Sequence, residues 1–154
     1  MGLKLKLFMR SYPWRRLGEI APARRVKELA GCRVALVSSA GLVAPGQDPY
    51  DFKIKGGDWS WRSIPGDIDV QSLTEHHRSD SWDHHGIEAD RNMGMPLDRL
   101  HELAAAGVIG EVAPQHISVM GSITAPGRFI RKTVPEIVEA LTADEVDIAL
   151  MVPV

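Results

Sequence analysis

Cysteine is nearly missing from this chain of 154 residues, which holds only Cys32. A lone thiol excludes an internal disulfide framework, and with no second thiol there is no CxxC redox pair. Any redox chemistry therefore needs a group from outside this sequence. Long apolar runs are missing too: none reaches the roughly 18 residues of a membrane span. The amino-terminal MGLKLKLFMR is too short, and too interrupted by Lys4 and Lys6, for a signal peptide, so the expectation is a cytoplasmic protein with no membrane partner. An excess of one charge is lacking as well. Eighteen Lys and Arg against twenty Asp and Glu leave a formal charge of −2, which gives no general pull toward nucleic acid. The basic and aromatic cluster Tyr12-Pro13-Trp14-Arg15-Arg16 is short and isolated, and reads as an arm lying across the domain or a partner.

What is present is the make-up of one ordinary globular domain, 44% hydrophobic and 25% charged. We divide it into an arm with a short helix, residues 1–30, and an α/β domain, residues 31–154. The short helix is expected from Pro22, with Val26 and Leu29 on one side and a stop at Gly31. The run RVALVSS from Arg33 is near-continuously apolar, as in a strand covered on both faces, and Cys32 before it reads as a small inert hydrophobe. Residues 44–70 are rich in Pro, Gly and Asp, with Gly56-Gly57-Asp58 as a turn and alternation through Trp59, Trp61 and Arg62 that can form a short strand or a hairpin edge. PLDRLHELAAAG from Pro96 is helical, with Leu97, Leu100 and Ala104 on one face. HISVMGSI from His116 is a second strand. Thr124 can cap a following helix that carries Phe129, Ile130, Val134, Ile137, Val138 and Leu141 and must kink or restart at Pro135. VDIALMVPV from Val146 is a third strand, apolar enough to be an interior element.

Strands alternating with helices imply an α/β fold: a Rossmann-like layered domain with a mostly parallel sheet, incomplete at the carboxyl end. Ligands in such sheets bind beyond the carboxyl ends of the strands, which makes Ser38, Ser39, Gly41, Gly121 and Ser122 the candidate substrate-binding positions. The polar chemistry is concentrated in residues 74–100. There His76, His77, His84 and His85 are interleaved with Asp80, Asp83, Glu88 and Asp90, and the stretch is anchored by Met93, Met95 and Leu97.

The order of VALVSSAGL, GGDWSWRSIP, HRSDSWDHHGIEADRNMGMPLDRLHELAAAGVIGEVAP, HISVMGSI and DIALMVPV resembles the amino-terminal part of the selenoprotein B family of glycine, sarcosine, betaine and D-proline reductases. It covers about residues 30–154 and is most specific where His77, Asp83, Asp90, Asn92, Pro96, Leu97, Arg99 and Leu100 fall at matching places. The resemblance implies reductive cleavage of a small amine or amino acid by a selenol or thiol. It also implies a pyruvoyl-bearing partner subunit, a thiol electron donor and an oligomer. In the family a selenocysteine or cysteine follows directly on the last strand, just after the place of Val154, and this sequence carries no such residue.

Three readings of the central residues stay open. His77, Asp83 and Asp90 can be acid, base or charge partner for an amino-acid-like substrate whose carboxylate faces Arg99. His77, Asp83, His85 and Asp90 can ligate a divalent metal. Asp90 and Asn92 can simply build the turn before Pro96. For the chain as a whole, a non-catalytic binding or assembly subunit that buries its last strand on a partner is the alternative to a reductase component.

Overall fold

The computed structural model describes residues 7–8, 10–12, 18–21, 23–79 and 84–154. At its centre is β1 (Arg33–Ser38), five of whose six residues are buried. Alternate side chains enter opposite layers. Val34 and Leu36 join Leu42, Ile64, Ile87, Met95, Leu97 and Leu100, whereas Val37 joins Ile117, Val119 and Ile137. The period of two in the strand thus becomes two hydrophobic clusters, one on each face.

Strands β5 (Glu111–Val112) and β6 (Gln115–Val119) run parallel to one edge of β1, and β7 (Ile148–Val152) runs parallel to the other. The three apolar runs expected to share one parallel sheet do so. The sheet as a whole is mixed, because β3 (Trp61–Pro65) adds antiparallel to β6. A separate antiparallel pair joins β2 (Leu42–Val43) to β4 (Thr74–Glu75). Helices α1 (His84–Ala89) and α2 (Leu97–Ala105) put Ile87, Leu97 and Leu100 on one face of the sheet. Helix α3 (Val134–Ala143) puts Ile137 and Leu141 on the other.

Pro135 takes the second position of α3, and the chain reaches it through a wide π-type turn, Phe129–Thr133. The looser turn accommodates a residue with no N–H to donate, so the helix restarts there.

Two expectations fail. The helix from Pro22 does not form: residues 23–26 have no regular structure, and between them and β1 stands a 3-10 turn, Leu29–Gly31. Val26 is 91% exposed, so its apolar spacing has no surface to pack on, and helices this short depend on packing. Among the described residues, strand β7 stands at an edge of the sheet and is only partly covered. Ile148 and Val152 are half-buried, but Leu150 and Met151 are 46% and 65% exposed, because no described strand pairs with its outer edge. Residues 13–17 of the expected arm lie outside the described residues.

Candidate functional site at the carboxyl edge of the sheet

The chain leaves β1 through Ser39, Ala40 and Gly41, and three short loops converge there. Ser39 N–H donates to Val152 O (3.1 Å), and its hydroxyl accepts from Val154 N–H (2.9 Å). Gly121 N–H donates to Ser39 O (2.9 Å), so the carboxyl ends of β1, β6 and β7 meet at one residue. The approach is close: a Cβ on Gly121 would fall 2.9 Å from Ser39 O and 3.0 Å from its Cβ.

The histidine loop arrives through the β2–β4 pair. Gly41 has φ +67, accepts from His76 N–H (2.9 Å), and lies so near that a Cβ there would be 2.8 Å from His76 O. Only glycine meets both demands at no steric cost. His77 thus stands against the carboxyl end of β1, 9% exposed. Farther along, Arg78 Nη1 donates to Ile54 O (3.4 Å), and Gly57 abuts Ser122 and Ile123. Loops 39–41, 54–58, 74–79 and 121–125 therefore form a continuous rim.

Within it, the Glu75 carboxylate accepts from His77 N–H and lies 2.7 Å from His84 Nδ1. Its side chain is 8% exposed. The two imidazoles are driven apart. The hydrogen bond to Glu75 raises the pKa of His84, whereas burial lowers that of His77, opposed by the Glu75 charge and reinforced by His84. Neighbouring groups with opposite shifts are the arrangement that separates a proton donor from an acceptor near neutral pH. Neither Glu75 nor His84 stood among the candidates read from the sequence. The available signal was a lone carboxylate directly preceding two histidines.

The other candidates are distributed as follows. Ser38 is wholly buried, with its hydroxyl donating to Gly94 O (2.5 Å) and accepting from Ala40 N–H (3.1 Å), so it fixes the turn from within. Asp90 is exposed and accepts from Asn92 N–H (2.9 Å) and Gln71 Nε2 (2.8 Å), bonds that lower its pKa, those from Gln71 first. Asn92 in turn accepts from Asp98 N–H at the start of α2 (3.1 Å), so this pair builds the turn before Pro96. Arg99 is exposed and pairs with Glu102 (2.7 Å) on the solvent side of α2. His85 is 95% exposed. Asp83 lies outside the described residues. Among the described residues no group of three or more His, Cys, Asp and Glu side chains stands close enough to hold a metal ion. Cys32 is buried at the amino end of β1, with its thiol against Glu28 O (3.3 Å), away from this rim. No helix among the described residues is long and apolar enough to cross a membrane.

Residues 2–153 match the family model of glycine/sarcosine/betaine reductase selenoprotein B. Over 125 residues, 81% of this chain, the sequence is 34% identical to D-proline reductase subunit gamma of Acetoanaerobium sticklandii. It is 27% identical over 150 residues to glycine reductase complex component B subunit gamma of Symbiobacterium thermophilum. It is 28% identical over 126 residues to sarcosine reductase complex component B subunit beta of Peptoclostridium acidaminophilum. The chain spans 50%, 34% and 28% of the lengths of these three relatives. No solved structure matches. With a match that runs through nearly the whole sequence, the chain belongs to the glycine/sarcosine/betaine reductase selenoprotein B family.

Proposed function

We propose that this chain is the amino-terminal part of a cytoplasmic subunit of a reductase complex acting on glycine, sarcosine, betaine or D-proline. A selenol or thiol just beyond Val154 would do the redox chemistry. The observation that carries the reading is the meeting of β1, β6 and β7 at Ser39, with Val154 tied to the Ser39 hydroxyl and the histidine loop against Gly41. A residue following Val154 would emerge on this rim. On this reading the mixed sheet is a Rossmann-like, mostly parallel sheet, with β3 as an antiparallel edge and further elements covering β7.

His77, held neutral by burial, accepts a proton near neutral pH, and Asp83 is its candidate charge partner. His84, paired with Glu75, donates one. Ser39, Gly41, Gly121 and Ser122 present small side chains and backbone to a small amine or amino-acid substrate. By family resemblance, the subunit works with a pyruvoyl-bearing partner and a thiol electron donor.

The test is a longer protein. The coding sequence is expected to carry UGA at or very near the codon after Val154, followed in frame by a cysteine-containing turn and a further helix and strand. Reading through it, and mixing the product with partner subunits, should give dithiol-dependent reduction of one of the four substrates. The chain ending at Val154 should give none, and His77→Ala in the long form should lower kcat. A UAA or UAG stop with no family sequence beyond it would overturn the proposal. So would turnover by the short chain that Cys32→Ser abolishes. The exposed Leu150 and Met151 on β7 favour one second reading, an assembly subunit that buries this edge on a partner. Stable association of the short chain with partner subunits, without turnover in either form, would support it.

A further inference from the structure

Beside the rim, the loop before β3 and the loop after β6 enclose a cavity of about 360 Å³ that the proposed chemistry does not use. Lys55, Gly57 and Trp59 form one wall, and Pro126, Arg128 and Arg131 face them. The Arg128 guanidinium lies 5.5 Å from the centre of the Trp59 ring, and the Lys132 ammonium lies 5.8 Å from it. Three cations thus line the cavity, and a fourth, Lys132, stands over the same indole as Arg128. None of them makes an ion pair among the described residues.

Neighbouring carboxylates are engaged elsewhere. Asp58 is buried and accepts from Asp51 N–H (2.7 Å) and Ser60 N–H (2.8 Å). Glu136 accepts from Trp61 Nε1 (3.2 Å). The walls are also fixed to each other. Ala125 N–H donates to Gly56 O (3.0 Å), and the Thr133 hydroxyl donates to Trp59 O. Gly57, at φ +99, packs so close that a Cβ would be 2.6 Å from Ser122 O. The four cations are solvent-exposed, and their summed charge with no ion-pair partner attracts an anion to the cavity they border.

We propose that this cavity binds the phosphate group of a small molecule. Guanidinium groups offer paired N–H donors that match phosphate oxygens, and the Trp59 face holds Arg128 and Lys132 in place beside them. The cavity falls within the size range of small-molecule sites and is larger than the bare ion, leaving space for an organic remainder against the indole. Inorganic phosphate and a phosphate ester share this chemistry.

The experiment is calorimetric titration of the full chain, at fixed ionic strength, with inorganic phosphate and separately with phenyl phosphate. Saturable one-to-one binding is expected. Arg128→Ala with Arg131→Ala should weaken it at least about tenfold, and Lys53→Ala, an exposed lysine outside the cavity, should leave it within about twofold. Should the double variant not fold by circular dichroism, Arg131→Gln alone is expected to weaken binding at least about threefold. Tighter binding of phenyl phosphate than of phosphate identifies an ester as the ligand, and equal affinities identify the free ion. Absence of saturable binding of both compounds, or equal binding by the arginine variants, overturns the proposal.

Discussion

Acid should loosen the join between β1 and β6, and His116 is the residue through which it acts. Its side chain is completely buried in the second position of β6. Its Nδ1 accepts from Leu36 N–H at 2.9 Å, so the ring stands where a strand carbonyl would otherwise complete the ladder. Such an acceptor must be unprotonated, which places the ring proton on Nε2. Burial pushes its pKa down from 6.5 to about 4, with His101 adding in the same direction. The sign follows. Between those two values the unfolded chain holds a proton that the folded one refuses, so the contribution of neutral His116 is fully present above pH 6.5 and is lost as pH falls toward 4. At about 1.4 kcal/mol per unit, the loss across that window is about 3 kcal/mol. His116→Asn retains an acceptor for Leu36 N–H but cannot titrate. Urea unfolding of both proteins at pH 7 and pH 4 isolates the effect, since every other group is common to the two. The variant should be the less stable at pH 7 and should gain about 3 kcal/mol relative to the parent by pH 4. A stability difference that does not change with pH refutes the reasoning.

Two further outcomes test the rim. Gly121→Ala should destabilise the domain by about 1–3 kcal/mol in thermal unfolding, because its Cβ has no space against Ser39, whereas Gly31→Ala, with open space around it, should stay within about 0.5 kcal/mol. Glu75→Gln should move the His84 titration midpoint down in a histidine NMR titration, since the hydrogen bond from this carboxylate is the main cause raising it, and His77 should move down as well. An unmoved His84 would show that the pair does not exist in solution.

The sheet was legible because burial on both faces leaves near-continuous apolar runs, and β1, β6 and β7 each begin within two residues of where those runs begin. The failures have a common cause: the sequence pattern records what an element can bury, not what stands opposite it. VKELAG has the spacing of an amphipathic turn but meets no surface, and Val26 is left in solvent. IALMV has the composition of a central strand, yet among the described residues only one of its edges is paired. The antiparallel β3 was visible only as alternation between two tryptophans, and its partner could not be named, because pairing across about 50 residues leaves no local trace.

At the candidate site, density of polar residues pointed to a stretch of which the fold gathers some members and turns others outward. Asp90, His85 and Arg99 have the chemistry of ligands and catalysts, but they lie on the outward side of a turn and two helices, where Asn92, Glu88 and Glu102 engage them. What selects His77 and Glu75 is backbone. The β2–β4 pair is only two residues long, yet it turns the chain back over the end of β1 and brings His76 against Gly41. Glu75 then faces inward from a strand end, and its carboxylate reaches His84 at the start of α1. Both histidines of this cluster are therefore set by one buried carboxylate whose position depends on a glycine 34 residues earlier, with φ +67. An alanine at Gly41 would push the loop from the sheet and dissolve the His77 environment without touching any titrating group, so loss of the His77 shift in that variant is the most direct measure of how far the site is made by the fold.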